Sequence, residues 1–485
     1  MKQSRERNLS MVMDFYEMTM CNGYFKAVDH ETKVAFEVFY RKNPDNGGFA
    51  IFAGLKQIIE YIQDLHFTDD DIEYFRQQNL FDEDFLKYLQ NFKFTGDVWA
   101  FQEGEIMYPN EPVITVIAPL LEAQLVETAI LLEFNHQSLI ATKTNRIVEA
   151  ADGRTVSDFG ARRAHNVDAA VYGARAAYIG GASSTATVLA GQMFGIPING
   201  TTAHSWVMFF PDEYSAFKAY AEVYPNATTL LVDTYDVLRS GVPNAIRVAK
   251  EVLEPMGCRL KGIRLDSGDL AYLSKIARKT LDESGLTDCK IVASNSLDEF
   301  TIRSLLNQGA QIDIFGVGER LITAKSDPVF GGVYKLCAVE KDGIFEPRIK
   351  ISENIEKVTN PGLKRVWRIV NKEGYGIGEL LTLWDENPNS DESYEVVDTR
   401  NPYKKVVLDH CTFEPVQKLF IHHGEETPDW ECQKEYDISF IRDKVRVKVN
   451  AKVWEEEKRF ENPHLHYLDM SPALYKLKID LLNAH

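Results

Sequence analysis

Five short apolar runs in the middle of the chain, Ile198 to Thr202, Thr229 to Val232, Gly262 to Leu265, Lys290 to Ala293 and Asp313 to Phe315, are each followed at once by chemically capable residues. The followers are Ala203-His204-Ser205, Asp233-Thr234-Tyr235-Asp236, Asp266-Ser267-Gly268-Asp269, Ser294-Asn295-Ser296 and Gly316-Val317-Gly318. A neutral imidazole is a competent nucleophile near neutral pH. The aspartates Asp233, Asp236, Asp266 and Asp269 can act as bases, bind Mg²⁺ or hold sugar hydroxyls, and the sequence does not choose among these. The Phe315-Gly316-Val317-Gly318 turn lacks the P-loop lysine and a full GxGxxG, so alone it is a weak phosphate signal. Its place between a strand and a helix beginning near Glu319 strengthens it: glycine lets backbone amides approach an anion, and a helix amino terminus favours negative charge. Asp, Ser, Asn and Gly are also the commonest caps and turn formers, and Ser267 and Ser296 are expected to cap helices. Five consecutive loops of one polar character favour a shared site over five coincidental turns.

The elements that must position these loops follow from the periodicity. From about residue 140 to 345, Ala-rich helical runs (Asp168 to Tyr178, Ser184 to Phe194, Asn244 to Met256, Leu270 to Ser284, Glu299 to Gln308) separate the short strands. That alternation implies parallel strands with crossover helices, whose carboxyl ends form one active-site face. Residues 1–140 mix strand-like runs (Val34 to Tyr40, Val113 to Ile117) with helical ones (Gly54 to Asp64, Leu120 to Phe134), an α+β domain. Residues 346–485 are charged and strand-like and are expected to pack in part on the N-terminal domain; the barrel is assigned 141–345. The fold class expected is α/β, an irregular TIM-like barrel between those two regions.

Bulk properties narrow the partners. A chain of 485 residues with 45% apolar and 26% charged content is globular, and a net charge of -18 disfavours nucleic acid while leaving room for a small anion in a locally basic pocket. Six cysteines without CxxC spacing suit a reducing cytoplasm. Neither a signal peptide nor a membrane span is indicated. His410, Cys411, His422, His423 and Cys432 are spaced too irregularly to be read as a zinc site.

Several blocks together resemble the nicotinate phosphoribosyltransferase family, a branch of the type II phosphoribosyltransferases. They are Asp158-Phe159-Gly160-Ala161-Arg162-Arg163, Gly180-Gly181-Ala182-Ser183-Ser184-Thr185, Gly200-Thr201-Thr202-Ala203-His204-Ser205, and Ile263-Arg264-Leu265-Asp266-Ser267-Gly268-Asp269. The likeness extends to Tyr16 in Met13 to Met20, Arg41-Lys42-Asn43-Pro44 with Gly47-Gly48-Phe49, Glu127-Thr128, Leu139 to Lys143, and Phe315 to Gly318, over about residues 9 to 370. It implies a homodimer with shared sites, transfer of phosphoribosyl from phosphoribosyl pyrophosphate to nicotinate, ATP as co-substrate, and Mg²⁺ held by substrate phosphates with one or two carboxylates.

The resemblance also implies roles. His204 is the histidine that ATP phosphorylates; Phe159 stacks on one face of the pyridine ring and Tyr16, from the neighbouring subunit, on the other. Arg162 and Arg264 are carboxylate partners, with Ser183 or Ser184 adding hydroxyls. Gly316, Gly318, Ser294 and Asn295 hold the 5′-phosphate, Asp233 and Asp266 lie near the ribose, and Arg163, Lys143 and Arg146 are candidates for the pyrophosphate clamp. The related nicotinamide enzyme has an aspartate where this chain reads Gly181-Ala182-Ser183-Ser184; its absence favours a carboxylate substrate. The basic residues Lys350, Lys357, Lys364 and Arg365 either close over phosphates or offset the acidic surface. The rivals are a nicotinamide or quinolinate phosphoribosyltransferase, and a catalytically inactive nucleotide-sensing barrel.

Overall fold

The computed structural model describes residues 8–354, 357–389, 393–435 and 437–484. The chain forms two compact units: the segment up to Leu139 together with that from Val329 onward, and Ile140–Pro328.

The second unit is built on six parallel strands, β1 (Thr155–Asp158), β2 (Ser184–Thr185), β3 (Thr229–Leu231), β4 (Gly262–Leu265), β5 (Lys290–Ser294) and β6 (Ile314–Val317). Their spatial order is β2-β1-β6-β5-β4-β3. This is the sequence order run around a ring that is open at one place, between β2 and β3. Phe315 and the strand residues Ile263, Leu265, Ile291, Ala293 and Val317 are buried, as strands covered on both faces require. Two of the crossover helices show a local reason to start. Leu270–Glu283 begins where the Asp269 carboxylate accepts from the Tyr272 N–H, and it buries Leu270, Ser274, Ala277 and Leu281 along one face. Glu299–Asn307 begins at Asp298 in the same way.

These caps correct the sequence expectation. Ser267 donates to Asp233 and Ser296 to Asn295, so neither serine caps a helix. Aspartate, ionised and accepting only, takes the amino-terminal N–H groups instead. Asp236 likewise accepts from the Leu238 and Arg239 N–H groups. Two of the four candidate aspartates, Asp236 and Asp269, are therefore structural caps.

Two strands, β1 and β2, were not foreseen, and Ile198 to Thr202 is not a strand: Ile198 forms one parallel bridge to Thr185 and the chain then leaves the sheet. It does so at the open side of the ring, where a seventh full strand would fill the gap. The helix expected to end at Phe134 continues from Glu127 to Ala150, across the boundary drawn at residue 140.

In the first unit, N- and C-terminal segments share one antiparallel sheet. Lys33–Phe39 pairs with Ile114–Pro119 and Val333–Lys341, and Asp97–Ala100 pairs with Lys418–His422. The strand Val333–Lys341 thus joins the N-terminal segment, although the sequence division kept it, to residue 345, with the barrel. A second six-stranded sheet is made of C-terminal residues alone, in which Gly376–Leu383 lies between Lys364–Val370 and Leu468–Met470. Lys364 does not face phosphates: its ammonium is buried against Glu37 at 2.9 Å.

Candidate active site

The loops after β1, β2, β4, β5 and β6, with Leu231 at the end of β3, converge on a cavity of about 400 Å³, which the Gly200–His204 segment walls off on the open side of the ring. Its charged lining is Arg162, Arg163, Arg264, Arg320 and Lys325 against Asp266 and Glu319, five cations to two carboxylates. In a chain of net charge -18 this local excess marks a place for a polyanion.

His204 opens the helix His204–Phe209 and is half-exposed to the cavity. Its Nδ1 lies 3.1 Å from the Thr234 hydroxyl, which orients the ring. Nε2 then sits 3.9 Å from Asp233 Oδ1 and 3.8 Å from Asp266 Oδ2. The Asp233 side chain is buried; its Oδ2 accepts from the Asp266 N–H and Ser267 Oγ, while Oδ1 has no hydrogen-bond partner among the described residues. A buried carboxylate oxygen left without a partner is costly, and here it faces the imidazole. Asp266 is tied to Arg264 Nη2 at 2.7 Å and accepts from Ser294 Oγ. Burial pushes its carboxyl up, but the Ser294 hydroxyl and the Arg264 charge outweigh it and hold Asp266 below the ordinary carboxylate range. It is ionised at neutral pH.

Arg264 also donates to Ser294 Oγ and Thr201 Oγ1, each at 2.8 Å, and its guanidinium lies 5.6 Å from the centre of the Phe159 ring. Three of its five N–H groups are thus engaged within the wall. Arg162 and Arg163 lie exposed on a short helical turn, and their side chains have no hydrogen bond or ion pair with other described residues.

The Phe159 ring is held by what surrounds it. Asp158 is fully buried; it accepts from the Gly160 N–H at 2.8 Å and the Thr185 hydroxyl at 2.7 Å, pinning the loop on either side of the ring. A Cβ on Gly316 would stand 2.5 Å from two carbons of that ring. Glycine at 316 therefore gives the aromatic its seat, besides any contact it makes to an anion. Gly316→Ala is expected to displace Phe159 and raise KM for any substrate ring stacked on it by roughly three- to tenfold, the worth of one aromatic stack. Steady-state kinetics varying each substrate in turn check this; unchanged KM values for all substrates would refute the seating role.

The structure brings His204, Asp266, Phe159, Arg162, Arg163, Arg264, Ser294, Asn295, Gly316 and Gly318 to one cavity, with Asp233 directly behind His204. Asn295 and Ser296 at its rim have left-handed backbones, φ 79° and 53°. Such strain gathers at functional loops. Ser183 and Ser184 are not in the lining: their hydroxyls bond Val156 O and Ser157 Oγ at 2.9 Å within the sheet. Tyr16 belongs to the other unit, half-exposed on the first turn of Phe15–Ala27. Lys143 and Arg146 are not a clamp, because both are buried against Glu299 at 2.8 and 3.1 Å. Arg320, paired with Asp298, and Lys325, paired with Glu319, line the cavity although no sequence expectation named them; they follow the glycine turn within seven residues, the signal that could have found them. Asp158, which pins the Phe159 loop, and Thr201, which accepts from Arg264, are further residues of the site that the sequence does not single out.

A curled parallel α/β sheet whose strand ends hold a histidine, two aspartates, an aromatic ring and a cationic excess around one cavity defines a type II phosphoribosyltransferase. Residues 11–135 match the nicotinate phosphoribosyltransferase N-terminal domain, 155–361 the nicotinate phosphoribosyltransferase family, and 363–478 its C-terminal domain. The chain belongs to the nicotinate phosphoribosyltransferase family. It is 44% identical over 482 residues to the nicotinate phosphoribosyltransferase of Bacillus subtilis (strain 168), covering 99% of this chain and 96% of the relative. The crystal structure of human nicotinic acid phosphoribosyltransferase superposes with a TM-score of 0.84 at 27% identity, covering 97% of this chain and all of that one. A nicotinate-nucleotide pyrophosphorylase from Pyrococcus furiosus shares the fold, with a TM-score of 0.68 at 22% identity over 91% of this chain and 95% of that one.

Proposed function

We propose that this chain joins nicotinate, through its ring nitrogen, to the ribose of phosphoribosyl pyrophosphate, giving nicotinate mononucleotide and pyrophosphate for NAD salvage, with ATP hydrolysis coupled through phosphorylated His204. The carrying observation is that the imidazole, the aromatic ring and the cationic excess line one cavity. Arg162, unengaged and beside Phe159 in sequence, is the partner for the nicotinate carboxylate, and Arg264 keeps free N–H groups to assist. Arg163, Arg320 and Lys325 suit the phosphates, with Ser294, Asn295, Gly316 and Gly318 around the 5′-phosphate. Thr234 fixes the His204 ring through Nδ1, so Nε2 attacks the terminal phosphorus of ATP; the phosphorus–oxygen bond to ADP breaks, and water later removes the phosphoryl group.

Asp233 Oδ1 and Asp266 Oδ2 form a hard oxygen set that fits Mg²⁺, and these two residues would hold it together with substrate phosphates. When bound, Mg²⁺ neutralises phosphate charge as pyrophosphate departs. Asp266, ionised beside the ribose, stabilises the positive charge that develops at the anomeric carbon. Asp266→Asn should lower kcat by about 10²- to 10³-fold, the loss typical for a preorganised electrostatic contact. Because its carboxyl lies below the ordinary carboxylate range, mild acidification should not neutralise it. A kcat that declines from pH 6 in the wild type and not in Asp266→Asn would contradict that assignment.

A homodimer with Tyr16 donated across the interface, and a cytoplasmic location suited to the buried thiols of Cys21, Cys289 and Cys337, belong to the same proposal. No helix among the described residues is long and apolar enough to cross a membrane. The test is one chromatogram: purified protein, ATP and phosphoribosyl pyrophosphate with nicotinate, nicotinamide or quinolinate. Nicotinate mononucleotide with stoichiometric ADP is expected; product from nicotinamide alone, or carbon dioxide release from quinolinate, would replace this reading with a rival.

A further inference from the structure

The antiparallel unit carries a second cluster of ligand-type side chains. Lys418–His422 pairs with Asp97–Ala100 and turns through His423 and Gly424 into Glu425–Glu426. His423 and Gly424 have φ of 51° and 77°, as a two-residue type I′ hairpin needs. Successive side chains on a strand normally point to opposite faces. The left-handed backbone at His423 breaks that alternation, and the rings of His422 and His423 lie 4.0 Å apart. Asp97 joins them from the neighbouring strand: its Oδ1 is 3.0 Å from His422 Nδ1 and accepts from the His423 N–H at 2.8 Å. One ligand atom from each of the three residues lies within 4.8 Å of the others, and among the described residues no other three His, Cys, Asp or Glu side chains converge so closely.

The backbone beneath is anchored. The Gly424 N–H donates to Gly96 O at 2.9 Å, Gln63 Nε2 donates to Gly424 O at 3.1 Å, and a Cβ at 424 would stand 2.4 Å from Phe94 O. The side chains themselves are accessible, so closing on an ion requires rotamer adjustment only. Ligand atoms around a tetrahedral zinc are separated by about 3.3 Å, from bonds of about 2.0 Å, and the Asp97–His422 pair is already near that spacing.

We propose that Asp97, His422 and His423 bind a divalent transition ion of the Zn²⁺ type, with the fourth position open to solvent. Two imidazoles and a carboxylate suit zinc, whereas Mg²⁺ and Ca²⁺ favour all-oxygen sets. The ion joins the strand Asp97–Ala100 to a hairpin more than 300 residues further along the chain. The fold thus separates the two histidines from Cys411, which is buried in a different core cluster. Calorimetric titration of the untagged, chelator-treated full chain with zinc chloride tests this. One equivalent is expected to bind and to raise the melting temperature. His423→Asn keeps the turn, since asparagine accepts positive φ, but lacks the imidazole; Asp97→Asn keeps an acceptor for the His423 N–H but lacks the charge. Each should weaken binding by about tenfold or more, while His410→Ala and Cys432→Ser should bind as wild type does. No saturable binding, tighter binding of Mg²⁺ than of Zn²⁺, or unchanged affinity in His423→Asn would overturn the proposal.

Discussion

His204→Ala should abolish the ATP-stimulated part of turnover, a loss of about a hundredfold or more, while leaving slow, ATP-independent transfer between nicotinate and phosphoribosyl pyrophosphate. The expectation rests on the position of His204 rather than its type. Its Nδ1 is fixed by Thr234, and its Nε2 faces two carboxylates at the edge of the cationic cavity. Removing the imidazole deletes the only nucleophile proposed for the phosphoryl group, but leaves Phe159, Arg162, Arg264 and Asp266 in place to bind and transfer. Labelled ATP with gel autoradiography reads phosphorylation, and product formation with and without ATP reads coupling. Retention of full ATP stimulation by the variant would remove His204 from the mechanism.

The largest effect on stability should come from Arg368→Met in the other unit. Arg368 is buried; it donates to Glu379 and Glu105, each at 2.7 Å, and to Ile106 O at 3.0 Å, and Lys448 also pairs with Glu105. Burial alone would push Glu105 up, yet Arg368 and Lys448 hold it down, from its ordinary 4.5 to about 2. Removing the arginine leaves carboxylates buried without their main partner, at a cost of about 3–5 kcal/mol. The sign with pH follows from the depressed carboxyl. Glu105 contributes stability that is fully present above its unfolded value and is lost as pH falls from about 4.5 toward 2. Denaturant midpoints measured from pH 7 down to 3 should therefore fall in the wild type through that window, and the gap to Arg368→Met should narrow with them. A midpoint for Arg368→Met equal to wild type at pH 7 would show that the network is not stabilising.

Much of this could be read before any fold was known, and the failures have particular causes. Strands β3 to β6 were located because they are short apolar runs bounded by polar turns, covered by helices on the sequence's own periodicity. β1 and β2 escape the periodicity because Thr155–Asp158 and Ser184–Thr185 are short and polar; they are strands because their backbones pair in parallel with β6 and with each other, the Ser157 and Ser184 hydroxyls satisfying one another inside the sheet. Lys143 looked like a phosphate ligand beside a family block, and no local feature announces Glu299 as its partner 156 residues away. Asp236 and Asp269 carried the same chemical promise as Asp233 and Asp266, and only backbone direction made the first pair caps and the second pair site residues.

The sequence by itself determined which groups were available: an imidazole, an aromatic ring, glycines after a strand, and an acidic chain with basic residues near those glycines. Composition and periodicity are local properties, so they specify element type and the rim on which each loop falls. The tertiary structure alone decided that the ring opens between β2 and β3, that Gly200–His204 passes there, that Gly316 seats Phe159, and that Asp97 meets two histidines from the far end of the chain. Those outcomes depend on contacts between residues distant in sequence, whose pairing is set by the packing of whole elements and is written in no short stretch of the chain.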